Sequence, residues 1–303
     1  MKKIIEQLND LQVGIIKENE LLASYTTMKV GGPADLFIEP NSIKNLEKVI
    51  HILKESQIPY LVIGRGSNLL ISDAGVEGAV IRLGNGLNEL EIEGNTVTVE
   101  AGYSLVALST LVSRQGLSGL EFASGIPGSV GGSVYMNAGA HGSEMKKVVK
   151  KVLILLEDGT IRWFTNEEMK FSYRTSVLQK EIKGIILKVV FKLTEGNKEE
   201  IISQMQNNKD YRKTTQPYNM PCSGSVFRNP LPNYAGKLIE EANLKGYSIG
   251  GAQVSLMHAN FIVNANNATT SDIMDLINYI KKTIYDLNGI ELHTEVEILG
   301  RKN

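Results

Sequence analysis

An α+β fold of at least two domains is the architecture this sequence predicts, and three observations lead to it. The chain has 303 residues, enough for two or three packed units. Its glycines are unevenly spread: of 29, residues 31–142 hold 18 and residues 143–303 hold 10, against an average of roughly 7%. After Gly196-Asn197 the organisation changes, and a polar helical stretch over 198–213 leads into a β-α-β-β-α-β order.

The elements follow from apolar period and punctuation. Ile4, Ile5, Leu8 and Leu11 recur at helical spacing, which predicts a helix over 2–13. Ser42 is placed to cap a second helix with Leu46, Val49, Ile50 and Leu53 on one face. Pro59 opens a short apolar strand, YLVIG, which runs straight into Gly64-Arg65-Gly66-Ser67-Asn68. Strands are expected at 79–83 and at 96–101, the latter alternating with period two, and Ser104 caps a helix through about Gln115. Residues 125–142, GIPGSVGGSVYMNAGAHG, are too apolar for a flexible linker and too rich in glycine for a stable helix. A hairpin turning at Asp158-Gly159 follows, then a Thr165/Glu168 capping box for a short helix, then a buried strand over 184–193. The last part reads as strand 224–228, helix 234–244, strands 249–256 and 259–264, helix 270–287 and strand 291–299.

Composition removes several classes of function. Lys plus Arg (32) balances Asp plus Glu (33), so no global charge draws the chain to nucleic acid or an anionic membrane. Cys222 is the single cysteine, which excludes an intrachain disulfide framework, a cysteine-rich zinc site and an iron–sulfur cluster. The four histidines are scattered and no HExxH occurs, so no metal site is expected. The amphipathic N-terminus is not a signal peptide, and no run approaches the roughly 20 apolar residues of a membrane span. A reducing cytoplasm is the expected compartment.

Two glycine-rich segments invite a phosphate or cofactor reading. Gly64–Leu69 follows a strand but lacks the last glycine and the helix of a dinucleotide fingerprint, and no Walker A motif is present. Backbone N–H groups in such a turn can still cradle a diphosphate, since glycine permits close approach; a purely structural turn is the competing reading. Residues 125–142 can let a flat cofactor lie on main chain, with Ser129, Ser133 and Asn137 as polar anchors, or can serve close packing alone. Arg174, Ser225 and Glu295 are each common surface types in isolation, and Cys222 has no evident His–Asn partner for a nucleophilic role.

Taken together, YTTMKVGGPAD (25–35), GRGSNLL (64–70), GIPGSVGGSVYMNAGAHG (125–142), FSYRTS (171–176), SGSVFRNP (223–230), AGKLIEEANLKG (235–246) and HANFIVN (258–264) resemble, in order, the landmarks of the UDP-N-acetylenolpyruvoylglucosamine reductase family. The resemblance runs nearly end to end. It implies an FAD-binding region of two α+β subdomains, 1–75 and 76–195, similar to the vanillyl-alcohol-oxidase class, and a C-terminal α+β substrate domain over 196–303. Non-covalent FAD would rest its diphosphate on Gly64, Arg65, Gly66, Ser67 and Asn68, with its flavin end near Gly125, Ser129, Gly132, Asn137 and Ala138. Family chemistry implies that NADPH reduces FAD and that flavin N5 then passes hydride to the enolpyruvyl group of UDP-N-acetylglucosamine enolpyruvate. The product is UDP-N-acetylmuramate, a peptidoglycan precursor. By the same resemblance Arg174 stabilises the developing negative charge, Ser225 supplies the proton and Glu295 polarises the enolpyruvyl group. Tyr173, Lys213, Asn229 and His258 match substrate contacts. Two positions depart from the family: Thr294 stands for a usual Pro before the glutamate, and Glu297 for a usual Arg two places after it. The chain also lacks an insertion carrying a tyrosine loop, as in the family's second subgroup.

Neither nucleic acid, nor membrane insertion, nor an obligate protein partner is expected. Two other readings remain open on the sequence. One keeps the flavin fold but makes the chain an oxidase or dehydrogenase of another hydroxylated substrate, although no histidine is evident for covalent flavin attachment. The other makes it a non-enzymatic nucleotide-binding module.

Overall fold

The computed structural model describes residues 1–301. The chain is α+β and divides into two compact units whose segments interleave along the sequence. One comprises Met1–Lys17, Phe37–Arg65 and Ala79–Tyr211; the other comprises Glu18–Leu36, Gly66–Gly78 and the chain from Arg212 onward.

The first unit carries the antiparallel five-stranded sheet in the order Ile161–Thr165, Val149–Leu156, Gly184–Lys192, Thr96–Glu100, Leu90–Glu93. Gly184–Lys192 lies inside it, which accounts for the unbroken apolar run: Ile185, Ile186, Leu187, Val189, Val190 and Phe191 are all buried. The hairpin closes around Asp158-Gly159 as its sequence requires. A second sheet has the order Gly14–Leu21, Pro33–Pro40, Val76–Arg82, Tyr60–Ile63, and its last two strands are parallel. Helix Ile43–Glu55 begins at Ser42, whose hydroxyl accepts the Asn45 N–H at 3.2 Å, and buries the four apolar residues the spacing selected. Ser104 caps Leu105–Arg114 in the same way.

Three expectations change. The first helix stops at Asp10 rather than 13, because Gln12 turns left-handed at φ 50°. Residues 125–142 do contain a helix, Val130–Tyr135, in spite of their glycines. Its first N–H groups are satisfied from outside: Val130 donates to Tyr103 O at 2.9 Å, Gly131 to Ala101 O at 2.8 Å, and Gly132 to the Ser129 hydroxyl at 3.3 Å. Tertiary partners thus override poor propensity. Conversely, the Thr165/Glu168 pair forms both reciprocal bonds, at 2.8 and 3.3 Å, but the residues after it make a turn.

The second unit is organised by helix Thr270–Asn288. Ile273, Leu276, Ile277, Ile280 and Ile284 form its buried stripe, packed in one core with Leu238, Ile239, Val254, Ile262 and Val226. The expected strands are shorter here. Residues 249–256 break into Ser248–Ile249 and Ala252–Val254, which pair as a hairpin and continue to Ile262–Asn264. Residues 224–228 form no strand and make only an isolated bridge, Phe227 with Thr294. The last strand is confined to Glu297–Leu299, which runs parallel to Leu69–Ile71.

Asp73, just past Leu69–Ile71, anchors the long helix. Its carboxylate accepts the main-chain N–H groups of Thr270 and Ser271, each at 2.9 Å, while the Thr270 hydroxyl donates to Ile71 O at 2.6 Å. Thr269 and Asp272 complete a capping box beside it. Asp73→Ala is expected to lower stability by about 1–2 kcal/mol, the usual cost of losing such a cap. Urea unfolding monitored by circular dichroism would measure this, and Asp73→Asn should recover part of it.

Candidate active site

The Gly64–Asn68 loop is shaped by close approach. At Gly66, φ is +64° and an added Cβ would lie 2.0 Å from Tyr25 O; at Gly64 it would lie 2.2 Å from the Ser129 hydroxyl. Gly64 and Ser129, both in the first unit, are therefore in contact. Among the described residues, no protein acceptor takes the main-chain N–H of Arg65, Gly66 or Ser67. Thr27, whose N–H donates to Gly66 O at 3.2 Å, keeps a buried hydroxyl without a protein partner. Unpaired donors on a loop that excludes side chains fit a bound diphosphate, as in other backbone cradles.

The loop is also bonded to the neighbourhood of Glu295. Asn68 Nδ2 donates to Glu295 O at 3.1 Å, and Glu297 N–H donates back to Asn68 O at 2.9 Å. Glu295 N–H donates to Val226 O at 2.7 Å and Arg228 N–H to His293 O at 2.9 Å. Ser225 and Glu295, 70 positions apart in sequence, thus stand on adjacent main-chain segments of the second unit.

Arg174 is held in the first unit. Ser172 and Thr175 exchange both main-chain bonds at 3.0 Å, which puts Tyr173 and Arg174 at the tip of a tight turn with Arg174 left-handed at φ 52°. A non-glycine residue in that region is uncommon and is often found where function dictates geometry. The Arg174 guanidinium donates to Gly139 O at 2.9 Å and lies 5.2 Å from the centre of the Tyr173 ring. Asn137 is fully buried and supports this turn: Nδ2 donates to Ser172 O and Oδ1 accepts the Lys146 N–H, each at 2.9 Å. Its neighbour Ala138 donates to Ser133 O at 2.8 Å, and Gly125 ends a buried 3-10 turn.

The remaining residues fall as follows. Lys213 is exposed in the last turn of helix Lys198–Thr215. Asn229 Oδ1 accepts the Ala235 N–H at 3.1 Å, at the start of helix Ala235–Glu241. His258 Nδ1 accepts the Asn260 N–H at 3.2 Å, so the neutral ring carries its proton on Nε2. Burial lowers the His258 pKa from its ordinary 6.5. Burial also pushes the Cys222 thiol up from 9.0, which keeps it protonated at neutral pH and gives it no nucleophilic character.

Sequence reasoning missed Thr27, Asn260 and the left-handed Arg174. The first two lie inside quoted motifs, but nothing local marks a hydroxyl that will be buried unpaired or an amide that bonds a segment 33 residues away. Among the described residues there is no cluster of metal-ligating side chains, and no helix is long and apolar enough to cross a membrane.

Burial of His258 ties stability to pH. The folded state favours the neutral ring, so the unfolded chain binds more protons once pH falls below about 6.5, and stability declines from there until the folded pKa is reached. His258→Asn offers an oxygen in place of Nδ1 and does not titrate. Its urea midpoint is expected to change less than that of the parent between about pH 7.5 and about pH 5.5. Equal changes would assign the loss to other groups.

Comparison with known proteins spans nearly the whole chain. Residues 34–165 match the model of an FAD binding domain, and residues 216–299 match that of the UDP-N-acetylenolpyruvoylglucosamine reductase C-terminal domain. The UDP-N-acetylenolpyruvoylglucosamine reductase of Anoxybacillus flavithermus is 62% identical over 302 residues, covering all of both chains. That of Bacillus subtilis is 58% identical over 300 residues, covering 99% of each. The crystal structure of UDP-N-acetylenolpyruvylglucosamine reductase (MurB) from Thermus caldophilus superposes with a TM-score of 0.81 at 38% identity, over 94% of this chain and 99% of that one. Likeness of that extent, in sequence and in fold, places the chain in the UDP-N-acetylenolpyruvoylglucosamine reductase family of FAD-dependent oxidoreductases.

Proposed function

We propose that this protein converts UDP-N-acetylglucosamine enolpyruvate to UDP-N-acetylmuramate with NADPH as reductant, in the cytoplasmic assembly of peptidoglycan precursors. The observation that carries the reading is the main-chain bridge that sets the Ser225 and Glu295 segments side by side, with Glu295 N–H on Val226 O at 2.7 Å. Family membership supports it.

Gly64, Arg65, Gly66, Ser67 and Asn68 would hold the FAD diphosphate, and the segment containing Gly125, Ser129, Gly132, Asn137 and Ala138 would lie along the flavin. Bound there, FAD supplies a two-electron carrier between NADPH and the enolpyruvyl methylene carbon. The protein's own residues manage the charge and the proton. Hydride addition to the double bond leaves negative charge on the carbon next to the substrate carboxylate. Arg174 offers a fixed cation for that charge, and its turn and the Gly139 carbonyl set its direction beforehand. The Ser225 hydroxyl gives its proton to the carbon, completing addition of two hydrogens across the double bond. A serine is a weak acid, but a carbanion-like centre is basic enough to take its proton. Glu295 draws electron density through the enolpyruvyl group. Tyr173, Lys213, Asn229 and the Nε2–H of His258 are assigned to the substrate's polar groups.

An anaerobic titration in two steps tests this reading: NADPH should bleach the flavin, and the enolpyruvyl substrate should restore it in a one-to-one ratio. Ser225→Ala should leave the first step near the parent rate and slow the second by about a hundredfold or more. Equal reoxidation by variant and parent would remove Ser225 as the proton donor. Gly66→Ala, which drives a methyl group into Tyr25 O, is expected to yield protein that retains little or no flavin after gel filtration, read from its visible absorbance.

A further inference from the structure

We propose that Asn260 is the positioning residue of the protonation step, holding Ser225 in place relative to Glu295. This rests on the reading of Ser225 as proton donor given above. The residue is buried, with 4% of its surface exposed, and its polar atoms converge on one short segment. Oδ1 accepts the Phe227 N–H at 3.0 Å, Nδ2 donates to Phe227 O at 2.8 Å, and its main-chain oxygen accepts the Val226 N–H at 2.8 Å. On the opposite side of that segment, Val226 O and Arg228 N–H bond Glu295 and His293.

Residues 225–228 form no regular strand: a single bridge pairs Phe227 with Thr294 on the Glu295 side, and no strand pairs with the Phe227 N–H and C=O on the other. One carboxamide takes the place of a neighbouring strand by pairing both the donor and the acceptor of a buried residue. Ser225 is two positions from Phe227, and Glu295 is bonded to the residue between them. Removing the carboxamide leaves a buried N–H and C=O unpaired, and the cheapest relief is movement of the segment toward water. Such movement displaces the serine from the carbon it must protonate, where an error of about 1 Å costs on the order of a hundredfold in rate. Acceptance of hydride from NADPH needs no proton from Ser225, so the two half-reactions should separate.

The experiment measures both half-reactions by anaerobic stopped flow in flavin-loaded parent, Asn260→Ala, Asn260→Asp, Ser225→Ala and the Ser225→Ala/Asn260→Ala pair. Reduction by NADPH is expected within about twofold of the parent in each. Reoxidation by UDP-N-acetylglucosamine enolpyruvate should slow by about tenfold to a hundredfold in Asn260→Ala. Asn260→Asp keeps an acceptor for the Phe227 N–H but sets a second oxygen against Phe227 O, so its reoxidation should slow at least as much. In the double variant the second substitution should add far less than it does alone, because Asn260 acts through the serine already removed. Parent-rate reoxidation in the Asn260 variants, equal loss in both half-reactions, or penalties that multiply would each overturn the assignment. If Asn260→Ala does not fold, Asn260→Asp alone and combined with Ser225→Ala is read by the same three criteria. Parent-rate reoxidation by Ser225→Ala alone instead overturns the proton-donor reading, and this inference with it.

Discussion

Leu69–Ile71 and Glu297–Leu299 lie 228 positions apart in the sequence and run side by side as a parallel pair, and the order of the second unit follows from that pairing. Asn68, one residue before the pair, bonds the main chain at Glu295 and Glu297; Asp73, just after it, receives the N-terminus of helix Thr270–Asn288. Asn68 and the strand that presents Glu295 are therefore one hydrogen-bonded piece. The pair survives with only three residues on each side because its flanks are closed by side chains rather than by more ladder. Leu70 lies in the apolar core with Val226, Phe227 and Val296, so displacing either strand would open that core.

Main-chain groups do much of the positioning in this protein. The Arg174 turn is closed by Ser172 and Thr175 main chain, and Ser225 and Glu295 are registered through Val226 and His293 carbonyls. Side chains enter mainly as amides: Asn68, Asn137 and Asn260 each bridge segments far apart in sequence. A carboxamide suits this because it carries a donor and an acceptor and pairs with a peptide group without adding charge to a buried place. The glycine excess in residues 31–142 has the same origin where Gly64 and Gly66 are concerned: a Cβ would occupy the space of a neighbouring oxygen.

Much of the fold was legible because its signals are local. Ser42 and Ser104 begin helices where their hydroxyls can reach an N–H three residues on, and the Asp158-Gly159 turn joins two strands whose alternation is visible in the sequence. Two departures show where local signals stop. Helix Val130–Tyr135 exists because Tyr103 and Ala101 supply acceptors for its first turn, and no local rule contains those residues. The Thr165/Glu168 bonds form but no helix follows, since Lys170 turns left-handed at φ 47° and buried Met169 and Phe171 pack without one.

The sequence by itself determined the α+β class, the main helices and, through the ordered set of motifs, the family and with it FAD as cofactor and Arg174, Ser225 and Glu295 as candidate catalytic residues. Caps, turns and apolar periods act within a few residues, and motifs survive as strings, so both can be read without coordinates. Only the tertiary structure decided that Gly64 touches Ser129, that Glu295 is bonded to Val226 and Asn68, and that Asn260 stands in for a missing strand. These contacts depend on which distant groups share a buried space and must satisfy one another there, and that is a property of the packed chain, not of any stretch of it.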